Sequence, residues 1–330
     1  MTTVTVFGAG AMGTALATHL ARKGEQVALW GSEHDAKVLP ELRELRSHPA
    51  LPGRLPDQLE VFGPDELDLA CKGASIGVLA AHSGGARSLA GLVRSAIGDI
   101  RFVVSIAKGL EPETHKRPSE VYGEELDRPV VVIGGPALAA EVAEGLPCAA
   151  VLACEDRDAL RRTAEVLHQP GAYVVHETDD CIGLELCSTA KNVGAIGAGI
   201  LEGIGMRREQ GYKNARAALF TRAVAEMCDF IEALGGRRDT AMGLAGLGDL
   251  LVTSIGGRNR QYGEMIGGGA DPRHAETDLQ ARGMTVEGVD SARDVHELAK
   301  DHGVAMPVHE AIYRVVHENA APASVVEAVL

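Results

Sequence analysis

Six residues near the start of the chain have the types and spacing to hold a phosphate. Gly8-Ala9-Gly10-Ala11-Met12-Gly13 is a G-x-G-x-x-G that follows a strand-like run, Val4 to Phe7, and opens a helix, Thr14 to Lys23. Alone the pattern is weak, but in a strand–turn–helix setting its glycines permit a tight turn and let the backbone approach a pyrophosphate. The helix N-terminus adds free N–H groups and the positive end of its dipole. A second strand, Gln26 to Trp30, is followed by Gly31-Ser32-Glu33-His34-Asp35. An acid there bonds the ribose hydroxyls of NAD, whereas an Arg there receives the 2′-phosphate of NADP. Glu33 lies at the expected offset and no Arg adjoins it, so NAD is favoured, with NADP as the alternative.

Two lysines have unusual surroundings. Lys108, in Ser105-Ile106-Ala107-Lys108-Gly109-Leu110-Glu111, ends a strand-like run, the edge at which open α/β sheets bind ligands. Lys191 lies in Thr189-Ala190-Lys191-Asn192-Val193, inside a glycine-rich helix. A lysine on a solvated face is the simpler alternative, but small and apolar neighbours flank it and Asn192 adds a second polar group. Asp249 follows Gly246-Leu247-Gly248, and Thr253 comes one helical turn later on the same face. Arg258 and Asn259 follow a glycine pair; an Arg there suits an oxyanion, which a guanidinium binds through two parallel bonds. A helix N-cap at Asn259 beside a surface Arg explains the same residues, and spacing does not separate the two.

The elements that must position these residues change character along the chain. Strand-like runs at Val4–Phe7, Gln26–Trp30, Ser75–Ala80, Phe102–Ile106, Val130–Ile133, Ala149–Ala153 and Tyr173–His176 alternate with helical stretches, which indicates βαβ units and a parallel sheet. Their continuous apolar character fits strands covered on both faces. Pro49–Pro64 and Glu111–Pro118 read as irregular loops. Beyond about residue 180 helical patterns dominate: Ile182–Ile204, Ala215–Leu234, Ala292–Asp301 and Val308–His317. The first of these carries Gly183, Gly194, Gly197, Gly199 and Gly203. Each costs a helix about 0.5–1 kcal/mol relative to Ala, so close packing against a backbone or a ligand is expected. Two domains follow, residues 1–180 and 181–330.

Composition narrows the function classes. The 330 residues carry a formal net charge of -14, which argues against bulk nucleic-acid binding and against a polybasic membrane surface. A few local cations can still draw a small anion. Six scattered cysteines, none in a C-x-x-C, read as free thiols in a reducing compartment rather than a disulfide or metal framework. The longest apolar stretch, Val130–Ala140, is broken by Gly134, Gly135 and Pro136, too short to span a bilayer. The start of the chain has no charged leader with a cleavage site. No metal is expected, and a cytoplasmic location is.

The full set of motifs resembles one family, the cytoplasmic NAD(P)-dependent sn-glycerol-3-phosphate dehydrogenases of bacteria. In family order the matches are G-A-G-x-x-G-T-A-L-A (Gly8–Ala17), A-K-G-L-E (Ala107–Glu111), G-G-P (Gly134–Pro136) with A-x-E-V (Ala139–Val142), and K-N-V-x-A-I (Lys191–Ile196). They continue with N-A-R-A-A-L (Asn214–Leu219), G-L-A-G-L-G-D-L (Gly243–Leu250), G-R-N (Gly257–Asn259) and V-E-G-V (Val286–Val289). The resemblance implies an α/β fold: an N-terminal Rossmann dinucleotide-binding domain, then a mostly α-helical, 6-phosphogluconate dehydrogenase-like substrate domain, with the active site between them. It implies reversible hydride transfer between nicotinamide and carbon 2 of glycerol 3-phosphate or dihydroxyacetone phosphate, supply of glycerophospholipid precursors, and a homodimer. It makes Lys191 the general acid/base, with Lys108, Asp249 and Thr253 as polar partners. Arg258 and Asn259, with Asn192, fall at the substrate. Gly8, Gly10, Ala11, Met12, Gly13, Ser32, Glu33, Lys108, Ala139, Arg258 and Glu287 fall at the cofactor. An ammonium at Lys108 and partial burial would both lower the pKa of Lys191.

Several positions depart from the family pattern. Met12 stands for the usual aromatic, Ala11 for the common Ser, and Ser32 for a basic residue. Gly135-Pro136-Ala137-Leu138 replaces G-P-S-F, and Gly257-Arg258-Asn259 replaces S-R-N. These bear on cofactor preference and substrate identity, so a specialised relative reducing another phosphorylated ketone is the runner-up. A non-catalytic dinucleotide-binding regulator would be expected to lack Lys191 or Asp249, and both are present. The net picture is an acidic shell around a small cationic site of Lys108, Lys191 and Arg258.

Overall fold

Every strand-like run forms in the computed structural model, which describes residues 1–330. They are β1 (Thr3–Phe7), β2 (Gln26–Trp30), β4 (Ile76–Leu79), β5 (Phe102–Ser105), β6 (Val130–Gly134), β7 (Cys148–Ala153) and β8 (Tyr173–Thr178). A further strand, β3 (Glu60–Phe62), forms inside the segment read as irregular; three residues are too few to show a period. The order is β3-β2-β1-β4-β5-β6-β7-β8. All neighbours are parallel except β6 and β7, so the sheet is mixed rather than wholly parallel. The helix between those two strands, α5 (Ala139–Glu144), has six residues, a rise of about 9 Å. A six-residue strand runs about 20 Å, so this connection is too short to return the chain for a parallel start.

Helices cover both faces of this sheet. Alternate strand residues feed two cores: Val4, Val6, Leu29, Val78 and Val104 pack with Leu16 and Leu20 of α1 (Ala11–Lys23) and with Leu160 and Leu167 of α6 (Arg157–Leu167). Phe7, Trp30, Leu79 and Val103 pack with Leu89 and Val93 of α3 (Ala86–Val93) and Tyr122 of α4 (Pro118–Leu126). A single turn, α2 (Leu67–Ala70), precedes β4. Helix α1 ends where Gly24 takes the left-handed conformation and the Gly24 and Glu25 N–H groups bond back to Ala21 and Leu20.

The chain divides into two units, Met1–Cys181 and Ile182–Leu330. The second is helical: α7 (Cys181–Arg207), α8 (Lys213–Ala233), α9 (Arg238–Met242), α10 (Asp249–Ile255), α11 (Arg258–Gly267), α12 (Pro272–Ala281), α13 (Glu287–Asp301), α14 (Pro307–His317) and α15 (Ala323–Val329). Helix α7 is buried on every side along most of its length. Its glycines have the reason the sequence demanded. A Cβ on Gly199 or Gly203 would sit 2.0 or 2.1 Å from the Arg260 or Glu264 carbonyl of α11. Reciprocally, a Cβ on Gly263 or Gly267 would sit 2.0 or 2.1 Å from the Ile196 or Ile200 carbonyl. Two four-residue glycine repeats thus let the backbones of α7 and α11 touch. Glu226 of α8 locks another helix, accepting the Val308 and His309 N–H groups at 2.8 and 3.1 Å and so capping the start of α14.

Candidate active site

In the first unit the glycine turn lies at the C-terminal end of β1, between β2 and β4, where the strand order reverses. Such switch points are where open α/β sheets bind ligands. Gly8 has φ +113° and a Cβ on it would meet the Ala80 carbonyl oxygen at 2.6 Å; one on Gly13 would meet the Gly8 carbonyl at 2.3 Å. Gly10 differs, because a Cβ there would meet nothing within 4 Å. Gly10 is also the N-cap of α1, and no side chain caps that end. The turn therefore presents an open approach to the N-terminal N–H groups of a helix, flanked by the half-buried Ala11 and Met12, which fits a pyrophosphate.

The two acids after β2 are placed differently. Glu33 is exposed. Asp35 turns back: its Oδ1 accepts the Ala9 N–H at 3.2 Å and its Oδ2 accepts the Ser32 N–H at 2.9 Å. Ser32 is buried; its hydroxyl donates to Asp35 Oδ2 at 3.1 Å and accepts the His34 N–H at 3.3 Å, and with the Ser32 N–H bound by Asp35 the turn forms a capping box. Lys108 lies three residues beyond β5, half-buried, at the same C-terminal edge of the sheet. Its loop is anchored by Glu111, which Arg87 grips at 2.7 and 2.9 Å and to which Thr114 donates at 2.6 Å. The Arg87 guanidinium holds the Glu111 carboxyl below the usual carboxylate range. Ala139 opens α5 and packs, half-buried, against the α1-side core.

In the second unit Lys191 is only 4% exposed, which removes the solvated alternative. Its Nζ donates to Asp249 Oδ1 at 2.8 Å and to Thr253 Oγ1 at 2.9 Å. The Thr253 hydroxyl in turn donates to the Asp249 carbonyl one turn back, at 2.6 Å. Lys191 and Asp249 thus form a buried ion pair. Next to it, Asn192 is 2% exposed; its Oδ1 accepts from Asn259 Nδ2 at 2.9 Å, while its own Nδ2 has no partner. Asn259 Oδ1 in turn accepts the Gly288 N–H at 3.0 Å. The Asn259 amide is thus engaged at both ends, tying α7, α11 and the start of α13 together. Arg258, on the first turn of α11, faces Glu287 at 3.6 Å. Lys191 and Arg258 thus stand beside carboxylates.

The model of the NAD-dependent glycerol-3-phosphate dehydrogenase N-terminus matches residues 3–160, and that of the C-terminus matches residues 180–327. The chain belongs to the NAD-dependent glycerol-3-phosphate dehydrogenase family. Among relatives, glycerol-3-phosphate dehydrogenase [NAD(P)+] of Geobacillus kaustophilus is 38% identical, the alignment covering 100% of this chain and 94% of the relative. The enzyme of the same name from Moorella thermoacetica is 41% identical over 96% of this chain and 91% of its own. The crystal structure of glycerol-3-phosphate dehydrogenase from Coxiella burnetii superposes with a TM-score of 0.89 at 34% identity, covering 99% of this chain and 98% of that one.

Within this family framework two clusters stand out: the glycine turn with Ser32, Asp35 and Lys108 in the first unit, and Lys191, Asn192, Asp249, Thr253 and Asn259 in the second. Sequence reasoning passed over Asp35 and Gly288. The first had a signal, because Ser32-x-x-Asp35 has capping-box spacing. Gly288 had none, since its importance comes from Asn259, 29 residues away in the chain. The cysteines are all free, with Cys148 and Cys181 half-buried rather than buried. Burial pushes the Cys71 and Cys148 thiols up to about 11, which makes them poor nucleophiles. No helix is long and apolar enough to cross a membrane.

Proposed function

We propose that this chain is an NAD(P)-dependent glycerol-3-phosphate dehydrogenase that reversibly reduces dihydroxyacetone phosphate at carbon 2. The observation that carries this reading is the buried Lys191 ammonium held by Asp249 and Thr253. The residues around the glycine turn hold the dinucleotide, which when bound supplies or accepts the hydride. As a ketone is reduced, charge develops on its oxygen, and Lys191 donates the proton there. Asp249 orients the ammonium and, in the reverse direction, stabilises it as it forms. The unpartnered Asn192 amide donates to the substrate. Arg258 and the N-terminus of α11, which no side chain caps, take the phosphate, and Asn259 holds Asn192 in place with one Nδ2 N–H while its second N–H remains for the substrate.

The protein acts in the cytoplasm as a homodimer supplying glycerophospholipid precursors. Exposed Leu251 and Ile255 on an otherwise acidic chain support self-association. A monomer mass in sedimentation equilibrium at micromolar concentration would remove that part.

The central test follows NADH absorbance with dihydroxyacetone phosphate. Wild type oxidises NADH, and Lys191→Met loses turnover by about a hundredfold or more while still binding cofactor. The paired variant Lys191→Met/Asp249→Asn avoids a buried unpaired carboxylate and separates loss of chemistry from loss of fold. Near-normal turnover in either variant overturns the role of Lys191. Oxidation of NADH only with a different phosphorylated ketone replaces the substrate.

A further inference from the structure

Of the two acids after β2, only Asp35 faces the glycine turn. Its carboxylate is fixed by three donors: Ala9 N–H at 3.2 Å, Ser32 N–H at 2.9 Å and the Ser32 hydroxyl at 3.1 Å. This places a negative charge at the C-terminal end of β2, the position from which dinucleotide-binding sheets read the ribose hydroxyls of the adenosine half. Resting on the cofactor reading above, we propose that Asp35, and not Glu33, is the residue that discriminates NAD from NADP, and that it sets a preference for NAD.

Three features of the site support this. Oδ1 receives one donor, which leaves a lone pair for a ribose hydroxyl. A 2′-phosphate would bring further negative charge against a carboxylate whose donors hold it in place, so it is repelled rather than accommodated. The arginines of the following loop are engaged elsewhere, Arg54 with Asp57 at 3.2 Å. Arg43 bonds Glu66 and the Val61 carbonyl, and Arg46 bonds the carbonyls of Pro56 and Leu59. Lys37 is exposed, where water screens its charge.

His48 adds to the same end. It is 6% exposed, and its Nδ1 accepts the Ala50 N–H at 3.0 Å, which assigns the ring proton to Nε2. That Nε2 lies beside the Ala9 main chain without a full hydrogen bond. Burial lowers the affinity of this ring for a second proton, so at neutral pH it adds no positive charge for a phosphate.

The experiment uses Trp30, the single tryptophan, which is the last residue of β2. Its emission overlaps the absorption of reduced nicotinamide, so energy transfer reports binding without turnover. Wild type, Asp35→Asn and Glu33→Gln are titrated with NADH and with NADPH. Wild type should bind NADH more tightly. Asp35→Asn should lower the NADH-to-NADPH affinity ratio by about tenfold or more, and Glu33→Gln should leave it within about twofold. Parallel loss of both cofactors in Asp35→Asn, with the ratio unmoved, makes Asp35 a brace only and overturns the proposal. A ratio shift confined to Glu33→Gln, or a wild type that prefers NADPH, overturns it equally. If Asp35→Asn does not fold, Ser32→Arg serves instead: a cation placed beside the carboxylate should shift the ratio toward NADPH, and an unmoved ratio overturns the proposal. A wild type that binds neither cofactor removes the underlying cofactor reading, a result distinct from all of these.

Discussion

Glycine works in two ways in this molecule. At the turn after β1, Gly8 is needed for its backbone angle and Gly10 for the open space beside it. In the second unit, Gly199, Gly203, Gly263 and Gly267 lie within helices and need no special angle; they are there because carbonyl oxygens of the facing helix occupy the place of a side chain. The first set leaves an open approach to a helix N-terminus, the room that the proposed cofactor needs. The second set makes room for the protein, and through it brings Asn259 of α11 against Asn192 of α7. The contrast separates a glycine that leaves space open from one whose space is filled by a neighbouring backbone.

The largest effect should come from the helix crossing. Gly199→Ala removes a helix-propensity penalty of about 1 kcal/mol, yet its Cβ would overlap the Arg260 carbonyl. Packing should win, with a net loss of about 2–4 kcal/mol in chemical denaturation. A stabilised variant would break the comparison, because close packing would then not be the reason for the glycine. Next in size is Gly10→Ala. Its side chain has room in the protein, so stability should change by no more than about 1 kcal/mol. NADH affinity should nevertheless fall by about tenfold or more, measured by Trp30 energy transfer. Unchanged affinity would mean that the open space does not serve a ligand.

The smallest effect concerns the Lys108 loop, which is held by side chains rather than by glycine. Arg87 depresses the Glu111 carboxyl, so the stabilisation this pair gives is present above the ordinary carboxylate range. It is lost as pH falls through the lowered folded-state value. Protection of the amides of residues 109–116, taken relative to the intrinsic exchange rate at each pH, should therefore fall in acid, and Arg87→Met should show the lower protection already at neutral pH. Equal protection in both proteins at neutral pH would show that the loop does not depend on the pair.

How much of this was legible in the sequence depended on distance along the chain. The glycine turn, the strands and the stop of α1 at Gly24 are local, and each was readable from a few consecutive residues. The Ser32–Asp35 capping box is equally local, but attention to the usual offset picked Glu33. Lys191 was conspicuous by its neighbours, whereas its pairing with Asp249, 58 residues on, carries no local mark. The reversal between β6 and β7 also escaped, because strand direction follows from the length of the connection and not from the strand itself.

By itself, then, the sequence determined where chain direction changes, which residues have capping or turn chemistry, which runs are apolar enough to lie inside a sheet, and which family the ordered motifs resemble. These depend on backbone angles and side-chain periods within a few residues. Only the tertiary structure decided which polar groups meet: Lys191 with Asp249 and Thr253, Asn192 with Asn259 and Gly288, Asp35 with Ala9. The reason is that such pairs are set by where helices and strands cross. In the second unit that crossing depends on carbonyl oxygens filling the space left by missing side chains, a relation no single segment contains.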